Sequence, residues 1–322
     1  MKLKKLAAII VSAAMLLTLV ACGDSAGAAK MTMGTGSPTG TYYAFGGVLG
    51  QYMTAEAGVA VNVVSSDGSK ANIESIDAGD YQLGFVQSDV MSYAWSGERS
   101  FEETGAIQSF RVIGGLYAEA VQLVTMDESI QSVADLKGKT VSIGAPGSGV
   151  YFNAMDILTS AGLTLDDINP QYLSFDASTS DLKDGKIDAA FIVAGAPTAA
   201  VTELCMTSDA HLVPIDGDIA AKLMETGPFY TAYTIPAGTY NGQDTDIVTV
   251  TVKATLIVSA DADEETVYNL TKAIFDNMDA IAVENGKGAE LSLENATSGM
   301  TVPFHPGAAK YFAEQGIDVP TE

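Results

Sequence analysis

The sequence predicts an α/β protein of two similar lobes joined by two chain crossings, with a cleft between the lobes. Three observations carry this. Strand-like and helix-like segments alternate, with Gly-rich loops between them. A Gly-rich loop running into an amphipathic helix occurs twice. A helix end, a glycine and a hydrophobic strand, in that order, also occur twice, once downstream of each loop. The chain has 322 residues and is 47% hydrophobic, enough for a sizeable core in one large or two medium domains.

The elements follow in order. Lys2, Lys4 and Lys5 precede an apolar run from Leu6 to Val20, broken only by Ser12 and Thr18. The run is short for a membrane span, which needs ~20 residues. It ends in Leu19-Val20-Ala21-Cys22-Gly23, which resembles a bacterial lipobox. Residues 1–21 are therefore expected to be a lipoprotein signal peptide and Cys22 the lipidated residue; an ordinary signal peptide with an incidental cysteine is the alternative. Residues 22–30 are small and polar and read as a flexible tether. Met31 to Met33 reads as a strand entering the loop GTGSPTGTYYAFGG (34–47), and Phe45, Val48, Leu49 and Tyr52 give the following helix one apolar face. Strand, helix and strand then follow at Asn62 to Val64, Asn72 to Ala78 and Gln82 to Val86. LYAEAVQLVTM (116–126) is a strand-like connection. TVSIG (140–144) then leads into APGSGVYFNAMDIL, with Tyr151, Ala154, Met155 and Leu158 at the same helical spacing. IDAGDYQLGFVQSD (76–89) is matched by LKDGKIDAAFIVAG (182–195), with Gly79 over Gly185, Phe85 over Phe191 and Val86 over Ile192. Residues 231–259 are β-rich, and Val267, Leu270, Ile274 and Met278 mark a later helix. This organisation predicts lobe 1 at 31–117 and 235–322, lobe 2 at 122–230, and hinge crossings at 118–121 and 231–234. Ligands of open α/β sheets bind beyond the carboxyl ends of the strands, where these loops sit, and two crossings permit closure.

The net charge of −24 argues against nucleic acid and anionic membrane surfaces as partners, since both repel such a chain. Arg99 and Arg111 are the only arginines, and neither lies in a candidate loop. GTGSPTG is not a dinucleotide fingerprint, because position 39 is threonine. GAPGSGV is not a Walker A loop, because no lysine follows Gly149, nor a nucleophile elbow. Each loop instead ends at a helix N-terminus, whose unpaired N–H groups and positive dipole end suit an anion. Thr35, Ser37, Thr41, Ser148 and Asn153 add neutral donors. The alternative is that the loops are plain helix caps, with Thr39 or Ser148 as the capping residue. Tyr42 and Tyr43 are consecutive, so one faces the cleft. Gln87 is a ligand candidate, whereas Asp89 reads more naturally as a helix cap. No catalytic residue, cofactor or metal site is expected. His211 and His305 lie outside the loops, no HxxxH or CxxC spacing occurs, and Cys205 sits in an apolar stretch as a buried structural thiol.

GTGSPTGTYYAFGGVLG, GFVQSDV, ADLKGKTVSIGAPGSGVYFNA, DGKIDAAFIVAGAPTAAV and PFYTAYTIPAGTY together resemble the TAXI family of solute-binding proteins, over nearly the whole chain from Met31. These are extracytoplasmic receptors of one branch of the TRAP (tripartite ATP-independent periplasmic) transporters. The resemblance implies a two-lobed periplasmic-binding-protein fold, type II-like. It also implies hinge closure on a small carboxylated solute such as glutamate or glutamine, and delivery to a membrane permease. By position it implies ligand contacts from Thr35, Gly36, Thr41, Tyr42, Tyr43, Gln87 and Ser88 in one lobe. Ser148, Gly149, Val150, Asn153, Ala194 and Gly195 would face them from the other. The lipobox adds an extracytoplasmic, lipid-anchored location, with the anchor the sole membrane association of a monomer. Two other classes stay open: a tethered enzyme acting on a small metabolite, which would need a histidine beside a loop serine, and an adhesin or antigen with a vestigial cleft.

Overall fold

A computed structural model describes residues 30–215 and 217–322. The signal-peptide segment, Cys22 and the tether up to residue 29 lie outside the described residues; Lys30, assigned above to the tether, already opens the first strand.

The predicted duplication is visible as two βαβαβ units. The first comprises β1 (Lys30–Gly34), α1 (Thr41–Ala57), β2 (Ala60–Val64), α2 (Ser69–Asp77) and β3 (Leu83–Gln87), with parallel strands in the order β2-β1-β3. α3 (Ser88–Ser96) and the sixteen-residue strand β4 (Phe110–Thr125) follow. The second unit comprises β5 (Thr140–Ser142), α4 (Val150–Ser160), β6 (Asn169–Gln171), α5 (Phe175–Lys183) and β7 (Ala189–Ala194), again parallel, in the equivalent order β6-β5-β7. Gly79 and Gly185, matched in the sequence, both follow a helix at positive φ (81° and 67°). Only a residue without a Cβ takes that turn cheaply from helix end into strand.

The chain continues through α6 (Ala199–Thr207), β8 (His211–Val213), α7 (Gly217–Thr226), β9 (Thr231–Ile235) and β10 (Ile247–Ser259). It ends with α8 (Glu264–Phe275), α9 (Met278–Glu284), α10 (Leu293–Thr297) and α11 (Pro306–Glu314). One curled sheet, β2-β1-β3-β10-β4-β7-β5-β6, runs through both lobes. Its centre is antiparallel, unlike the two parallel units at its ends. β10 pairs antiparallel with β3, β4 and β9, and β4 pairs antiparallel with β7 and β8.

These two long strands connect the cores. β4 has Leu116 and Tyr117 in the first-lobe core, whereas Val121 and Leu123 pack in the second. β10 has Val250 and Val252 in the second-lobe core, and Ala254 and Leu256 in the first. The crossing expected at 231–234 is thereby corrected. Those residues form β9, a hairpin arm on β10, and Ile235, Tyr240 and Ile247 pack with Ala120 and Val124 beside the second lobe. The chain returns to the first lobe later, inside β10, because a hairpin must close before its second strand can cross.

Apolar stripes explain most helix placements. Phe45 and Leu49 are fully buried, as are Val267, Leu270 and Ile274. α4 is rotated from the expected face: Ala154 and Leu158 are buried, but Val150, Phe152 and Ile157 join them while Tyr151 and Met155 are only half-buried. Cys205 is a buried free thiol beside the Ala210 carbonyl.

Candidate functional site

A cavity lies between the lobes, at the carboxyl ends of the strands, with about 550 Å³ between its walls when the open solvent at its mouth is included. From the first lobe it is lined by Gly36, Ser37, Gly40, Thr41 and Tyr42, by the loop from Ser66 to Ser69, and by Gln87. The second lobe contributes Ala145, Ser148 to Val150, Leu173 to Phe175, Val193 and Ala194. Glu119 reaches it from β4, the connecting strand.

Four helix starts line the cavity; that of α5 is capped by Ser174, whose hydroxyl accepts from Ala177 N–H at 3.4 Å, and three are left open. The N-cap positions of α1, α2 and α4 are Gly40, Gly68 and Gly149, and none makes a side-chain cap bond. Away from the cavity, α8, α10 and α11 are capped by the side chains of Asp263, Ser292 and His305, whereas α6 and α9 have no side-chain cap. Thr39 and Ser148, the alternative cap residues, do other work. Thr39 Oγ1 donates to Asp176 at 2.7 Å, and Ser148 Oγ donates to the Ala145 carbonyl at 2.7 Å. First-turn N–H groups of α1, α2 and α4 therefore have no side-chain acceptor; Ala71 N–H goes to the Gly147 carbonyl and Phe152 N–H to the Gly149 carbonyl, and the rest are left for an anion. Asn72 fixes the first of these loops, donating from Nδ2 to the carbonyls of Thr35 and Phe85, both at 2.8 Å.

The lobes touch across the cavity. Ser37 Oγ and Thr39 Oγ1 donate to the Asp176 carboxylate, Thr41 Oγ1 donates to the Gly195 carbonyl at 2.9 Å, and Ala71 N–H donates to the Gly147 carbonyl at 3.0 Å. A Cβ on Gly149 would collide with the Gln87 carboxamide, so this approach requires glycine there. Behind the cavity, Asn153 Nδ2 donates to Asp89 Oδ2 and to the Tyr230 hydroxyl, each at 2.9 Å. Tyr230 in turn donates to Asp156, which pairs with Arg99 at 2.8 Å. Burial pushes the Asp89 carboxyl up to about 7.

The candidate residues divide accordingly. Gly36, Thr41, Tyr42, Gln87, Ser148, Gly149, Val150 and Ala194 line the cavity. Of the consecutive tyrosines, Tyr42 is the one at the cavity, and Tyr43 is 39% exposed to solvent. Thr35 is buried, donating to the Val64 carbonyl at 2.6 Å. Ser88 accepts from Lys253 N–H and opens onto a separate groove. Asn153 is held in the network with Asp89, and Gly195 contributes its carbonyl to the inter-lobe contact. Asp89 is no side-chain cap: Gln87 occupies the N-cap position of α3, and the Asp89 carboxylate is committed to Asn153.

Sequence reasoning missed Asp67, Gly68, Ser69, Ser174, Phe175 and Glu119. The signal for the first three was SSDGSK (65–70), another small-residue loop between strand and helix, and the repeat points to Ser174-Phe175 as its counterpart. Glu119 had its own signal, a lone carboxylate in the apolar strand LYAEAVQLV.

No lysine or arginine lines this cavity among the described residues. Arg99 is paired with Asp156, and Arg111 lies over the Trp95 ring. Neither histidine reaches the cavity lining. His305 accepts from Gly307 N–H through Nδ1, and His211 Nε2 contacts the Ile130 carbonyl at 3.4 Å. Among the described residues no cluster of His, Cys, Asp and Glu is placed to hold a metal ion.

The solved structures that resemble this chain share its two-lobed form. One is a protein from Bordetella bronchiseptica RB50, at 17% identity and TM-score 0.54, covering 88% of this chain and 89% of the other. Another is the alkanesulfonate-binding protein SsuA from Xanthomonas axonopodis pv. citri bound to MOPS, at 17% identity and TM-score 0.51, covering 89% and 90%. A third is a protein from Listeria monocytogenes assigned to L-cystine ABC transport, at 18% identity and TM-score 0.51, covering 82% and 98%. The fold is that of the periplasmic binding proteins. The model of the NMT1-like family matches residues 33–316, and the chain belongs to that family.

Proposed function

We propose that this NMT1-like protein is an extracytoplasmic solute receptor that closes its two lobes on a small carboxylated molecule and hands it to a membrane permease. The observation that carries the reading is the inter-lobe cavity, ringed by three glycine-capped helix N-termini. Such a ring holds a carboxylate by backbone N–H groups and needs no arginine. Gly36, Thr41, Tyr42, Gln87, Ser148, Gly149, Val150 and Ala194 are the proposed contacts, with β4 and β10 as the hinge strands. The TRAP permease of the TAXI branch, the glutamate-like solute and the lipid anchor at Cys22 rest on the sequence motifs. The structural neighbours named for ABC transport support the receptor fold alone. A tethered enzyme gains nothing from the positions of His211 and His305, and a cavity lined by this many polar groups is not what a vestigial cleft would keep.

Thermal shift tests the reading. Protein stripped of carried-over ligand by denaturation and refolding is titrated with amino acids and small mono- and dicarboxylates. A true solute at a hundred times its Kd adds about 2.7 kcal/mol, raising Tm by roughly 5 °C or more for a chain of this size. No shift with any small acid overturns the proposal.

A further inference from the structure

One cavity group is of the wrong sign for a site that binds only carboxylates. Glu119 is 2% exposed, faces the cavity, and its Oε1 has no hydrogen-bond partner. The hydroxyls of Tyr42 and Tyr117 and the Gly195 N–H lean towards it and favour its ionised form, but neither hydroxyl closes a full hydrogen bond. The one cation at its back, Lys287, is engaged by Glu290 at 2.6 Å. A buried carboxylate without a full partner is costly, by several kcal/mol, unless something neutralises it. The helix N-termini opposite it demand the other sign. One cavity therefore presents helix N-termini that suit an anion and, opposite them, a buried carboxyl that a cation can ionise.

We infer that Glu119 is the subsite for the ammonium group of the solute, so that the receptor takes a zwitterionic α-amino acid and rejects oxoacids and dicarboxylates of the same length. The inference rests on the receptor reading above. The ligand carboxylate lies at the glycine-capped helix starts, and its ammonium meets the Glu119 carboxylate. That contact satisfies the unpartnered Oε1 and supplies the positive charge that Lys287, shared with Glu290, supplies only in part. An oxoacid brings no cation, so Glu119 stays protonated and adds nothing to its binding.

The charge state makes the inference measurable. Burial, outweighing the nearby Lys287, pushes the Glu119 carboxyl up to about 8, so the empty cavity holds it largely protonated at neutral pH. The facing groups are Tyr42 on α1, Tyr117 on β4, Lys287 and Glu290 on the turn 286–290, the Gly195 backbone, and Asp67 across the cavity. An ammonium needs the ionised form, so binding releases one proton, and affinity rises with pH until the carboxyl is ionised in the empty protein.

Calorimetric titration of the stripped protein with the twenty L-amino acids, 2-oxoglutarate, glutarate and succinate provides the test. The expected result is one or more amino acids bound at least about tenfold more tightly than any oxoacid or dicarboxylate. Kd for the preferred amino acid should fall by about tenfold per pH unit from pH 6 towards 8. Glu119→Gln should weaken that amino acid by about tenfold or more, abolish the pH slope and leave the oxoacids little changed. An oxoacid or dicarboxylate that outbinds every amino acid overturns the inference and leaves the receptor reading standing. So does a flat pH profile in the unsubstituted protein, which decides the matter even if Glu119→Gln fails to fold. Binding by none of the panel overturns the receptor reading and this inference with it.

Discussion

The two lobes end their third strands in the same place with opposite chemistry. At the end of β3 the first lobe carries Gln87, Ser88 and Asp89, and at the matching end of β7 the second carries Val193, Ala194 and Gly195. The backbones agree, down to the positive φ at Gly79 and Gly185. At these strand ends the first lobe presents polar side chains, and the second presents the Gly195 carbonyl beside the apolar Val193 and Ala194. The difference teaches that closure needs one lobe to be small where the other is polar. Where both faces are polar, as at Ser37 and Thr39 against Asp176, they approach only by pairing across the gap.

The sharpest contrast is Asp89 against Gly195, and pH exposes it. In the unfolded chain Asp89 loses its proton near its ordinary value of 3.8, whereas in the folded protein it holds the proton to about 7. Between those values the folded state binds more protons, so raising pH costs stability, by at most about 1.4 kcal/mol per pH unit. Glu119 extends the same trend to about 8. Stripped protein should therefore melt lower at pH 7.5 than at pH 5, and Asp89→Asn should flatten the slope below pH 7. Below pH 4 the sign reverses. There the carboxylates of Asp135, Asp167 and Asp263, held below their usual range chiefly by hydrogen bonds and, for Asp167, by Lys137, begin to lose those contacts. An unchanged slope in Asp89→Asn would break the assignment of the buried proton to the first lobe.

Next in size is Gly149. A methyl group there meets the Gln87 carboxamide, and the lobes can close only by displacing it. Overpacking of this kind costs about 1–3 kcal/mol, which should weaken solute binding by roughly 10- to 100-fold in Gly149→Ala. Gly47 on the α1 surface is the control, since a Cβ there meets nothing within 4 Å. Gly47→Ala should leave Kd unchanged and stabilise the protein by about 0.5–1 kcal/mol through helix propensity. Calorimetry and thermal melts on both variants separate the two effects.

What the sequence made legible is the backbone. Loop, helix, strand and glycine recur with fixed spacing, so the first βαβαβ unit and the first and last strands of the second could be read from local pattern, whereas β6, three residues with a proline at its centre, could not. Side-chain direction could not. Thr35, Tyr43 and Asn153 sit in the same loops as the lining residues but turn to the Val64 carbonyl, to solvent and to Asp89. One-residue differences in helix phase decide such cases, and periodicity does not resolve them. Glu119 escaped for another reason. It belongs to neither repeat but to the strand between them, and only the three-dimensional crossing brings it to the cavity. The late return through β10 was hidden because residues 231–259 read as continuous β structure, with nothing local to mark where the core changes.

The smallest expected effect bears on the polar face itself. Gln87 Oε1 is buried without a partner, although the side chain stands at the cavity against Gly149. If it exists to hold solute, replacing it with an apolar side chain of similar volume should cost the empty protein nothing. Removing an unsatisfied polar group can even gain stability, on the order of 1 kcal/mol. Gln87→Met should therefore melt at or above the parent when stripped, yet bind solute about tenfold more weakly, since one hydrogen bond is worth roughly 0.5–1.5 kcal/mol. The two readouts move in opposite directions only if the side chain serves the ligand. Loss of stability with affinity intact would make Gln87 a packing residue, equivalent to Val193, and would erase the asymmetry between the lobes at that position.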